Sequence, residues 1–535
     1  MTTGAPAPNV EPGRSTVYAP RGAVATSQPL ATSAALRVLE NGGNAFDAAV
    51  VAAAVLNVVE PHMTGMGGDL FALFWSADDR RLKGLDASGR GGALLDADQL
   101  TAEGHQQMPG SGPMSVTVPG AVSGWSALLE QYGTLTLAEA LAPAIRIASE
   151  GFPVTPIIAR QWRDQTEKLQ RDPGAAAAFL VDGRRGPKEG EWMSNPDLAS
   201  TFETIATGGS AALYGGAIGN EIARGLQELG GFLTPEDFAN HEHRWVEPLS
   251  IPFRDCTIWE LPPAGQGVAA LQMMGIVEPM NLEGMGFGST DYLHFMIETK
   301  KLAYEDLRRY VADPEHMTTP VEELLSREYL SRRRELVDPR RATEREEPAS
   351  ASLVSETICL SVADQRGNMV SLINSVYNSF GSGIVIPGTG VILQNRGAGF
   401  TLEAGHPNRA AAGKRPFHTI LPGFVTKHDE PYMAFGLMGG AMQPQGHAQL
   451  LINMLVFDQD PQRAVDATRF RHLSGRRVAV EPGVSKKVRE ELRQRGHDLV
   501  DGSSADFGGA QLVMKLARGW AAASDPRKDG HAAGH

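Results

Sequence analysis

The chain has 535 residues, of which 42% are hydrophobic and 21% charged, a composition typical of a soluble globular protein with a large core. Its formal net charge of −13 argues against nucleic acid or an anionic membrane surface as the main partner. The chain contains only two cysteines, Cys256 and Cys359, so we expect neither a disulfide framework nor a thiolate metal cluster.

Residues 1–22 are rich in proline and glycine and are predicted to be flexible. They lack a basic segment followed by an apolar one, so no cleaved signal peptide is predicted and we expect a cytoplasmic protein. The most apolar run, Ala45 to Val59, is too short to cross a membrane and contains Asp47. Its alanines predict a close-packed buried helix, with Asn44 as the N-cap.

A glycine cluster lies between Pro61 and Asp69, immediately before a predicted strand over residues 70–75. The cluster lacks the spaced Gly-Lys-Ser/Thr residues that reach a nucleotide phosphate and magnesium, so a phosphate loop is not favoured. Close packing of the glycine backbone against the core is the better interpretation.

Helical and strand patterns then alternate, with no internal repeat. The periodicity predicts helices over residues 122–132, 137–150, 218–229, 269–278 and 291–310, and strands within 244–261. Further on, strands are predicted over 423–427, 433–437 and 510–514, and a helix over 445–456.

Residues 332–356 are rich in arginine and glutamate and contain Pro339 and Pro348, which predicts an exposed and mobile connector. Two β-rich runs follow it, on either side of the polar, glycine-containing turn 364–368, and together they predict a hairpin. If the turn centres on Arg366, antiparallel pairing places Thr357 directly opposite Ser375.

A threonine at the start of a core strand becomes a new amino terminus if the chain is cut between Glu356 and Thr357. An α-amine, with a reference pKa of about 7.7 to 8.0, can then take the proton of the hydroxyl and make it a nucleophile. The alternative interpretation is an ordinary cross-strand pair of hydroxyl residues.

Residues 374–383 read Asn-Ser-Val-Tyr-Asn-Ser-Phe-Gly-Ser-Gly, and residues 390–395 read Gly-Val-Ile-Leu-Gln-Asn. These two runs resemble the small-subunit start of the γ-glutamyltransferase (glutathione hydrolase) family of N-terminal nucleophile hydrolases. Residues 42–49, 61–69 and 464–470 resemble the same family, so the similarity extends over nearly the whole chain. The resemblance implies that Thr357 is the nucleophile and that Ser375 supports it.

The resemblance also implies the fold and the organisation of the chain. We expect an α/β (α+β) protein, a four-layer αββα sandwich in which two packed sheets are flanked by helices. A precursor would be cut into a large subunit, residues 23–356, and a small subunit, residues 357–520, with 521–535 a disordered tail. No cofactor and no metal are expected.

Gly439 and Gly440 match a glycine pair whose backbone N–H groups hold the oxyanion in this family. Such donors at a helix N-terminus suit a developing negative charge. The alternative is a tight strand-to-helix turn with no part in catalysis.

The substrate-binding positions depart from the family pattern. The family usually holds the α-amino and α-carboxylate groups of a γ-glutamyl unit through an Asn, a Gln, an Asp and a Ser-Ser pair. The matching positions here are Tyr377, Arg396, Gly399, His418 and Thr419. An arginine gained and an acid lost favour an acyl group that bears a carboxylate but no α-amine. His418 is expected to line the pocket, and a role as a base is the weaker alternative.

Arg90 lies two residues beyond Ser88, the position that matches the family's arginine for the substrate α-carboxylate. In a strand, a shift of two residues keeps the same face, so Arg90 can still point into the site. The alternative is a solvated surface arginine.

The sequence thus predicts a divergent family member, an autoprocessing amidohydrolase or acyltransferase that cleaves a γ-glutamyl or related carboxylate-bearing acyl amide through a Thr357 acyl-enzyme. The alternatives are a glutaryl-type acylase, an oxamate-type amidohydrolase, or a non-catalytic homologue that binds a small carboxylate. The expected partners are a small-molecule amide and the two subunits themselves. The sequence leaves open whether water or an amine acceptor resolves the acyl-enzyme.

Overall fold

The structure, a computed structural model, describes residues 13–345 and 357–535. The strands within these ranges are β1 (Val17–Ala19), β2 (Ala23–Thr26), β3 (Asp69–Ser76), β4 (Arg81–Ala87), β5 (Phe152–Pro153), β6 (Trp192–Met193), β7 (Arg244–Val246), β8 (Leu249–Phe253), β9 (Cys256–Glu260), β10 (Ile358–Ala363), β11 (Met369–Ser375), β12 (Pro422–Lys427), β13 (Glu430–Met438), β14 (Phe470–Ser474), β15 (Arg477–Val480), β16 (Asp498–Asp501), β17 (Gly509–Lys515), β18 (Trp520–Ser524) and β19 (His531–Gly534).

The helices in the same ranges are α1 (Pro29–Glu40), α2 (Ala45–Val59), α3 (Ala97–Ala102), α4 (Ala121–Tyr132), α5 (Leu137–Glu150), α6 (Pro156–Arg163), α7 (Thr166–Leu169), α8 (Pro173–Phe179), α9 (Pro196–Gly208), α10 (Ala217–Glu228), α11 (Pro235–Ala239), α12 (Gly267–Val277), α13 (Leu282–Met285), α14 (Thr290–Tyr310), α15 (Val321–Leu324), α16 (Arg327–Glu335), α17 (Met442–Leu455), α18 (Pro461–Asp466) and α19 (Lys486–Gln494). None of these helices is both long and apolar enough to cross a membrane.

Two antiparallel sheets of seven strands each form the centre of the molecule. The hairpin sheet has the order β19-β2-β10-β11-β3-β4-β7, and the second sheet has the order β1-β18-β17-β13-β12-β9-β8. One hydrophobic core joins the hairpin sheet to helices α1, α2, α4 and α5 and also includes Phe424, Ala434 and Val513 of the second sheet, so the two sheets pack face to face. Another core joins the second sheet to helices α12, α14 and α17. The predicted four-layer αββα sandwich is therefore confirmed.

Helix α2 packs against the hairpin sheet at its middle, and all of its side chains are buried. Alanine lets a helix approach a sheet closely, because it has no side chain beyond Cβ. Asn44 caps the helix by accepting hydrogen bonds from the backbone N–H groups of Phe46 and Asp47, and Asp47 accepts one from the N–H of Asn44 in return. The predicted helix bounds and N-cap are confirmed.

The hairpin of β10 and β11 has the predicted register, in which Ile358 pairs with Asn374. Within the turn, Asp364 accepts hydrogen bonds from the N–H groups of Arg366 and Asn368, and Gly367 adopts a positive φ of 97°. This register places Thr357 opposite Ser375 at the open end of the hairpin.

The prediction of a disordered tail over residues 521–535 is wrong. Residues Ala521 to Ala523 are fully buried in β18, and β19 pairs with β2 at the edge of the hairpin sheet. The alanines and glycines of this segment give only a weak strand pattern, but its backbone forms hydrogen bonds with neighbouring strands of the two sheets. The prediction of a flexible N-terminus is also wrong for β1, which pairs with β18, while residues 1–12 lie outside the described residues.

The predicted mobile connector is wrong over residues 332–345, where α16 continues to Glu335 and the chain then packs on α14. The backbone N–H of Thr343 donates to Glu298, and the backbone carbonyl of Thr343 accepts a hydrogen bond from Lys301. Arg345 forms an ion pair with Glu305. Charged side chains of α14 thus bind a segment that its composition alone predicted to be exposed to solvent. Residues 346–356 lie outside the described residues.

Each of the two sheets contains strands from both sides of residue 356, interleaved with one another. In the hairpin sheet, β10 lies between β2, from the beginning of the chain, and β11. In the second sheet, β12 pairs with both β9 and β13. Neither sheet is therefore complete without residues from both halves of the chain.

Gly436 of β13 lies where the two sheets face each other, and a Cβ added to it would lie 2.5 Å from Sγ of Cys359 on β10. We expect Gly436→Ala to lower the free energy of unfolding by about 1–3 kcal/mol, because the layers must separate to accept the methyl group. Urea unfolding of the variant measures this change.

Cys359→Ala in the same chain should relieve most of that loss, because it removes the atom in conflict. Gly110→Ala is the control, since Gly110 has no atom within 4 Å of the added Cβ. Equal stability of Gly436→Ala and wild type, or an unrelieved loss in the double variant, contradicts the close packing of the sheets.

Candidate active site

The hairpin brings two hydroxyl groups into contact at its open end. Oγ1 of Thr357 lies 3.1 Å from Oγ of Ser375, and both side chains are fully buried. Ser375 Oγ also accepts a hydrogen bond of 2.9 Å from the backbone N–H of Tyr377. The nucleophile predicted from sequence thus has a second hydroxyl held beside it by the main chain. Glu356, on the other side of the predicted cleavage site, lies outside the described residues.

Tyr377 has a positive φ of 80°, an uncommon backbone conformation for a residue with a large side chain. Such strain persists where the surrounding structure fixes the residue, and it concentrates at functional sites. Here it turns the aromatic ring beneath a guanidinium group, with Arg396 Cζ 4.2 Å from the ring centre.

Arg396 begins a short 3-10 turn, Arg396–Gly399, and is fully buried. Its Nη1 donates to Oγ1 of Thr419 at 2.9 Å, and its Nη2 donates to Oγ of Ser375 at 3.3 Å. Burial lowers the pKa of Arg396 to about 10, so the side chain is a cation at neutral pH. A guanidinium has five N–H donors, so these two bonds leave donor capacity beside the nucleophile.

Asp69, the first residue of β3, is the anion of the site. Its Oδ2 accepts a hydrogen bond of 2.9 Å from Nε2 of His418 and lies 3.9 Å from Nε of Arg396. Its Oδ1 accepts hydrogen bonds from Nε2 of Gln394 and the backbone N–H of Gly89, each 3.0 Å long. Burial raises the pKa of Asp69 to about 6, although Arg396 acts in the opposite direction.

His418 lies between this carboxylate and the core. Its Nε2 donates to Asp69, its Nδ1 accepts from the N–H of Ile420, and its ring is 4.5 Å from that of Phe71. Burial holds the pKa of His418 well below its usual range, so the imidazole is neutral. This arrangement agrees with a pocket-lining residue better than with a general base.

The glycine cluster before β3 sets how closely that strand approaches Ser375. A Cβ added to Gly68 would lie 2.3 Å from the carbonyl oxygen of Ser375, and one added to Gly67 would lie 2.2 Å from that of Ile392. Only glycine fits both approaches. The interpretation of this cluster as close backbone packing is confirmed.

Gly439 and Gly440 follow β13 with φ values of 112° and 58°, and α17 begins at Met442, three residues earlier than predicted. The side chain of Gln266 donates from Nε2 to the carbonyls of Thr419 and Gly440, at 2.6 and 2.9 Å. Since Thr419 also binds Arg396, the glycine turn lies next to the arginine end of the site. An oxyanion role for the two glycines stays a prediction.

Arg90 lies three residues beyond the end of β4 at Ala87, so the argument that a shift of two residues keeps the same strand face is wrong. Its side chain donates to the carbonyl of Gly413 at 2.7 Å. Its role in substrate binding therefore stays a prediction with weaker support than that of Arg396.

Gly399 ends the 3-10 turn against the loop that carries His418. A Cβ added to Gly399 would lie 2.6 Å from the carbonyl oxygen of Phe417. A carboxylate side chain at this position therefore requires the loop to move, and the loss of the family's acid agrees with the local packing.

Sequence reasoning missed Asp69 and Gln394 as members of the site. Both lie in motifs that were recognised, but a single polar residue at the start of an apolar strand gives no sign of which residues it will meet. The signal that was available is that a carboxylate in a fully buried strand requires partners.

The chain was compared with known families and proteins. The family described as Gamma-glutamyltranspeptidase matches residues 31–535. The glutathione hydrolase-like YwrD proenzyme of Bacillus subtilis is 34% identical over 516 residues, 94% of this chain and 97% of that protein. The oxamate amidohydrolase proenzyme of Klebsiella pneumoniae is 34% identical over 523 residues, 95% of this chain and 97% of that protein. The crystal structure of cephalosporin acylase from Bacillus halodurans is similar with a TM-score of 0.93 and 40% identity, over 100% of this chain and 99% of that one.

Proposed function

Because the chain belongs to the gamma-glutamyltranspeptidase family, we propose that it cleaves the amide of a carboxylate-bearing acyl group through an acyl-enzyme on Thr357. It is an autoprocessing amidohydrolase or acyltransferase, since the relatives that match nearly its full length include a glutathione hydrolase-like proenzyme, an oxamate amidohydrolase proenzyme and a cephalosporin acylase. The acyl group and the residues that act on it are the proposed part.

The proposed maturation begins when the hydroxyl of Thr357 attacks the carbonyl carbon of Glu356. The peptide C–N bond breaks as the ester C–O bond forms, and the proton of the hydroxyl moves to the released amine. Water then hydrolyses the ester, which leaves a carboxylate on Glu356 and a free α-amine on Thr357. Ser375, whose oxygen accepts from the N–H of Tyr377, supports the Thr357 oxygen as a hydroxyl donor.

In turnover, the α-amine takes the proton of the Thr357 hydroxyl, and the oxygen attacks the substrate carbonyl. The N–H groups of Gly439 and Gly440 hold the oxyanion, and the departing amine leaves with the proton. Water or an amine acceptor then takes the acyl group from Thr357. Whether hydrolysis or transfer dominates depends on the acceptor.

The observation that supports an anionic acyl group is the buried cation beside the nucleophile. Arg396 donates to Ser375, which in turn contacts Thr357, so a carboxylate bound by Arg396 lies close enough to Thr357 to be part of the acyl group that is cleaved. Desolvated arginine and carboxylate form strong, oriented pairs.

The arrangement disfavours an α-ammonium group on the substrate. Asp69 lies 3.9 Å from Arg396, and its two oxygens already accept hydrogen bonds from Gln394, Gly89 and His418. A buried substrate ammonium without a carboxylate partner costs several kcal/mol. γ-Glutamyl amides such as glutathione are therefore expected to be poor substrates.

A second candidate is an oxamate-type amidohydrolase. Arg396 and Thr357 share the hydroxyl of Ser375, so the cation lies at most two hydrogen-bond lengths from the nucleophile. That short separation suits an acyl group whose carboxylate is close to the scissile carbonyl, as in oxamate. The glutaryl-type acylase requires the longer spacing of a five-carbon diacid.

A series of anilides tests the proposal. We expect the processed enzyme to hydrolyse at least one of the oxalyl, succinyl and glutaryl anilides with a kcat/KM about tenfold or more above that for the γ-glutamyl anilide, because the penalty for an unpartnered ammonium exceeds ~1.4 kcal/mol. Glutaryl and γ-glutamyl anilides are the matched pair, since they differ only at the α-carbon.

A higher kcat/KM for the γ-glutamyl anilide contradicts the proposal that the pocket disfavours an α-ammonium group, and indicates hydrolysis of γ-glutamyl amides such as glutathione. An uncut chain that binds glutarate but hydrolyses none of the anilides supports the non-catalytic alternative. The cytoplasmic location stays a prediction that rests on the N-terminal sequence, which lacks a signal-peptide pattern, and on the low cysteine count; Cys256 and Cys359 are both buried and form no disulfide.

A further inference from the structure

A buried carboxylate lies next to the cation that is proposed to bind the substrate. Asp69 and Arg396 are both fully buried, and Oδ2 of Asp69 lies 3.9 Å from Nε of Arg396. Arg396 Nε has no hydrogen-bond partner among the described residues, so the pair interacts through charge and not through a direct bond. The charge of Asp69 therefore changes how strongly Arg396 attracts an anionic ligand.

Resting on the proposed function, we propose that Asp69 is a specificity-determining residue that sets the net charge of the acyl pocket. Without a proton, Asp69 offsets the charge of Arg396, and the pocket is close to neutral. With a proton, Asp69 leaves Arg396 as an unopposed cation that holds the anionic end of the substrate more tightly.

Substrate binding and the protonation of Asp69 are linked in both directions. A substrate carboxylate on Arg396 places a second anion near Asp69, and like charges raise the pKa of a carboxyl group. By linkage, a protonated Asp69 must favour the same substrate carboxylate by the same factor. As the pH rises, Asp69 loses its proton, and the preference of the enzyme for anionic acyl groups becomes weaker.

Asp69 is the carboxyl group of the site that titrates near the working range, since burial raises its pKa to about 6. His418 and His241 also face it, and burial lowers the pKa of both, that of His241 to about 4. Tyr214 and Tyr377 line the same region, and burial raises the pKa of each. These four groups therefore keep their charge between about pH 5 and about pH 8, where Asp69 does not.

The experiment measures a ratio of kcat/KM values in the processed wild-type enzyme. The numerator is the oxalyl, succinyl or glutaryl anilide that the enzyme prefers, and the denominator is the acetyl, butyryl or valeryl anilide of the same chain length. Titration of the Thr357 α-amine changes the nucleophile for both substrates alike, and Asp69→Asn, which keeps this amine, measures any part of the ratio that the charge of the amine contributes. We expect the ratio to fall about tenfold between about pH 5 and about pH 8, which corresponds to a shift of about one unit in the pKa of Asp69 when substrate binds.

Asp69→Asn should abolish this pH dependence and hold the ratio at its high, low-pH level. Asp47→Asn is the matched control, because Asp47 is another fully buried carboxylate that accepts hydrogen bonds from backbone N–H groups, those of Asn44 and Thr134. The control should keep the wild-type profile. If Asp69→Asn does not fold, the midpoint of the wild-type profile decides, since the pKa of Asp69 is about 6 and that of an α-amine is about 7.7 to 8.0.

A ratio that does not change with pH in the wild type overturns the inference and leaves the proposed function standing. A ratio that falls equally in Asp69→Asn also overturns it, since another group then carries the titration. If the processed enzyme hydrolyses none of the anilides, the proposed function fails and the inference fails with it.

Discussion

Thr357→Ala is expected to accumulate as one uncut chain of 535 residues and to lose activity by at least about 10³-fold, because the substitution removes the atom that attacks both Glu356 and the substrate. Intact-mass analysis and N-terminal sequencing of the purified protein measure the cleavage. Wild-type protein should give two chains, one of which begins with Thr357.

Two further variants separate cleavage from folding. Thr357→Ser keeps a hydroxyl and should be cut more slowly, whereas Ser375→Ala keeps the nucleophile and should slow both cleavage and turnover, since it removes the contact of 3.1 Å. A wild-type protein that stays uncut yet hydrolyses its substrate removes Thr357 from the mechanism. Thermal unfolding of each variant shows whether the hairpin still folds.

Arg396→Ala is expected to lower kcat/KM on the preferred carboxylate-bearing anilide by about thirtyfold or more, since truncating one partner of a buried, hydrogen-bonded charge pair costs about 2–5 kcal/mol. The uncharged anilide of the same length should change by a few-fold at most. Comparing the two substrates separates the loss of a binding contact from a general loss of the site.

Arg90→Ala is the matched control for this variant, because Arg90 is the other arginine that the sequence offered for the substrate carboxylate. It donates to the carbonyl of Gly413, outside the cluster around Ser375, so we expect both anilides to be hydrolysed at wild-type rates. A selective loss in Arg90→Ala, with none in Arg396→Ala, assigns the carboxylate to Arg90 and contradicts the pocket proposed here.

The sequence predicted the fold where local patterns and tertiary packing agree. The α2 helix, its Asn44 cap and the hairpin register depend on neighbours in the chain, and all three are confirmed. The tail at residues 521–535 was mispredicted because β18 and β19 are short, alanine-rich strands with a weak strand pattern of their own. Besides the neighbouring strand β17, they pair with β1 and β2, which lie hundreds of residues away in the chain.

The same reasoning explains what was missed in the site. Thr357 and Ser375 face each other through a hairpin, which sequence spacing can specify. Asp69 reaches Arg396 only because β3 pairs with β11, and that pairing joins segments separated by about three hundred residues. No local sequence pattern predicts such a long-range contact, so Asp69 could be identified as the counter-charge of Arg396 only from the structure.

The interleaving of strands from both sides of residue 356 constrains the order in which folding and cleavage occur. A chain cut before Thr357 prior to folding must assemble β2, β10 and β11 from two separate molecules, so folding has to come first and cutting second. The single chain finds its structure in a unimolecular reaction, but the processed enzyme, once fully unfolded, can return only by a bimolecular encounter. Recovery of the fold after denaturation should therefore depend on protein concentration for the processed enzyme and not for Thr357→Ala. In dilute solution, the mature protein then stays folded only because its unfolding barrier is high.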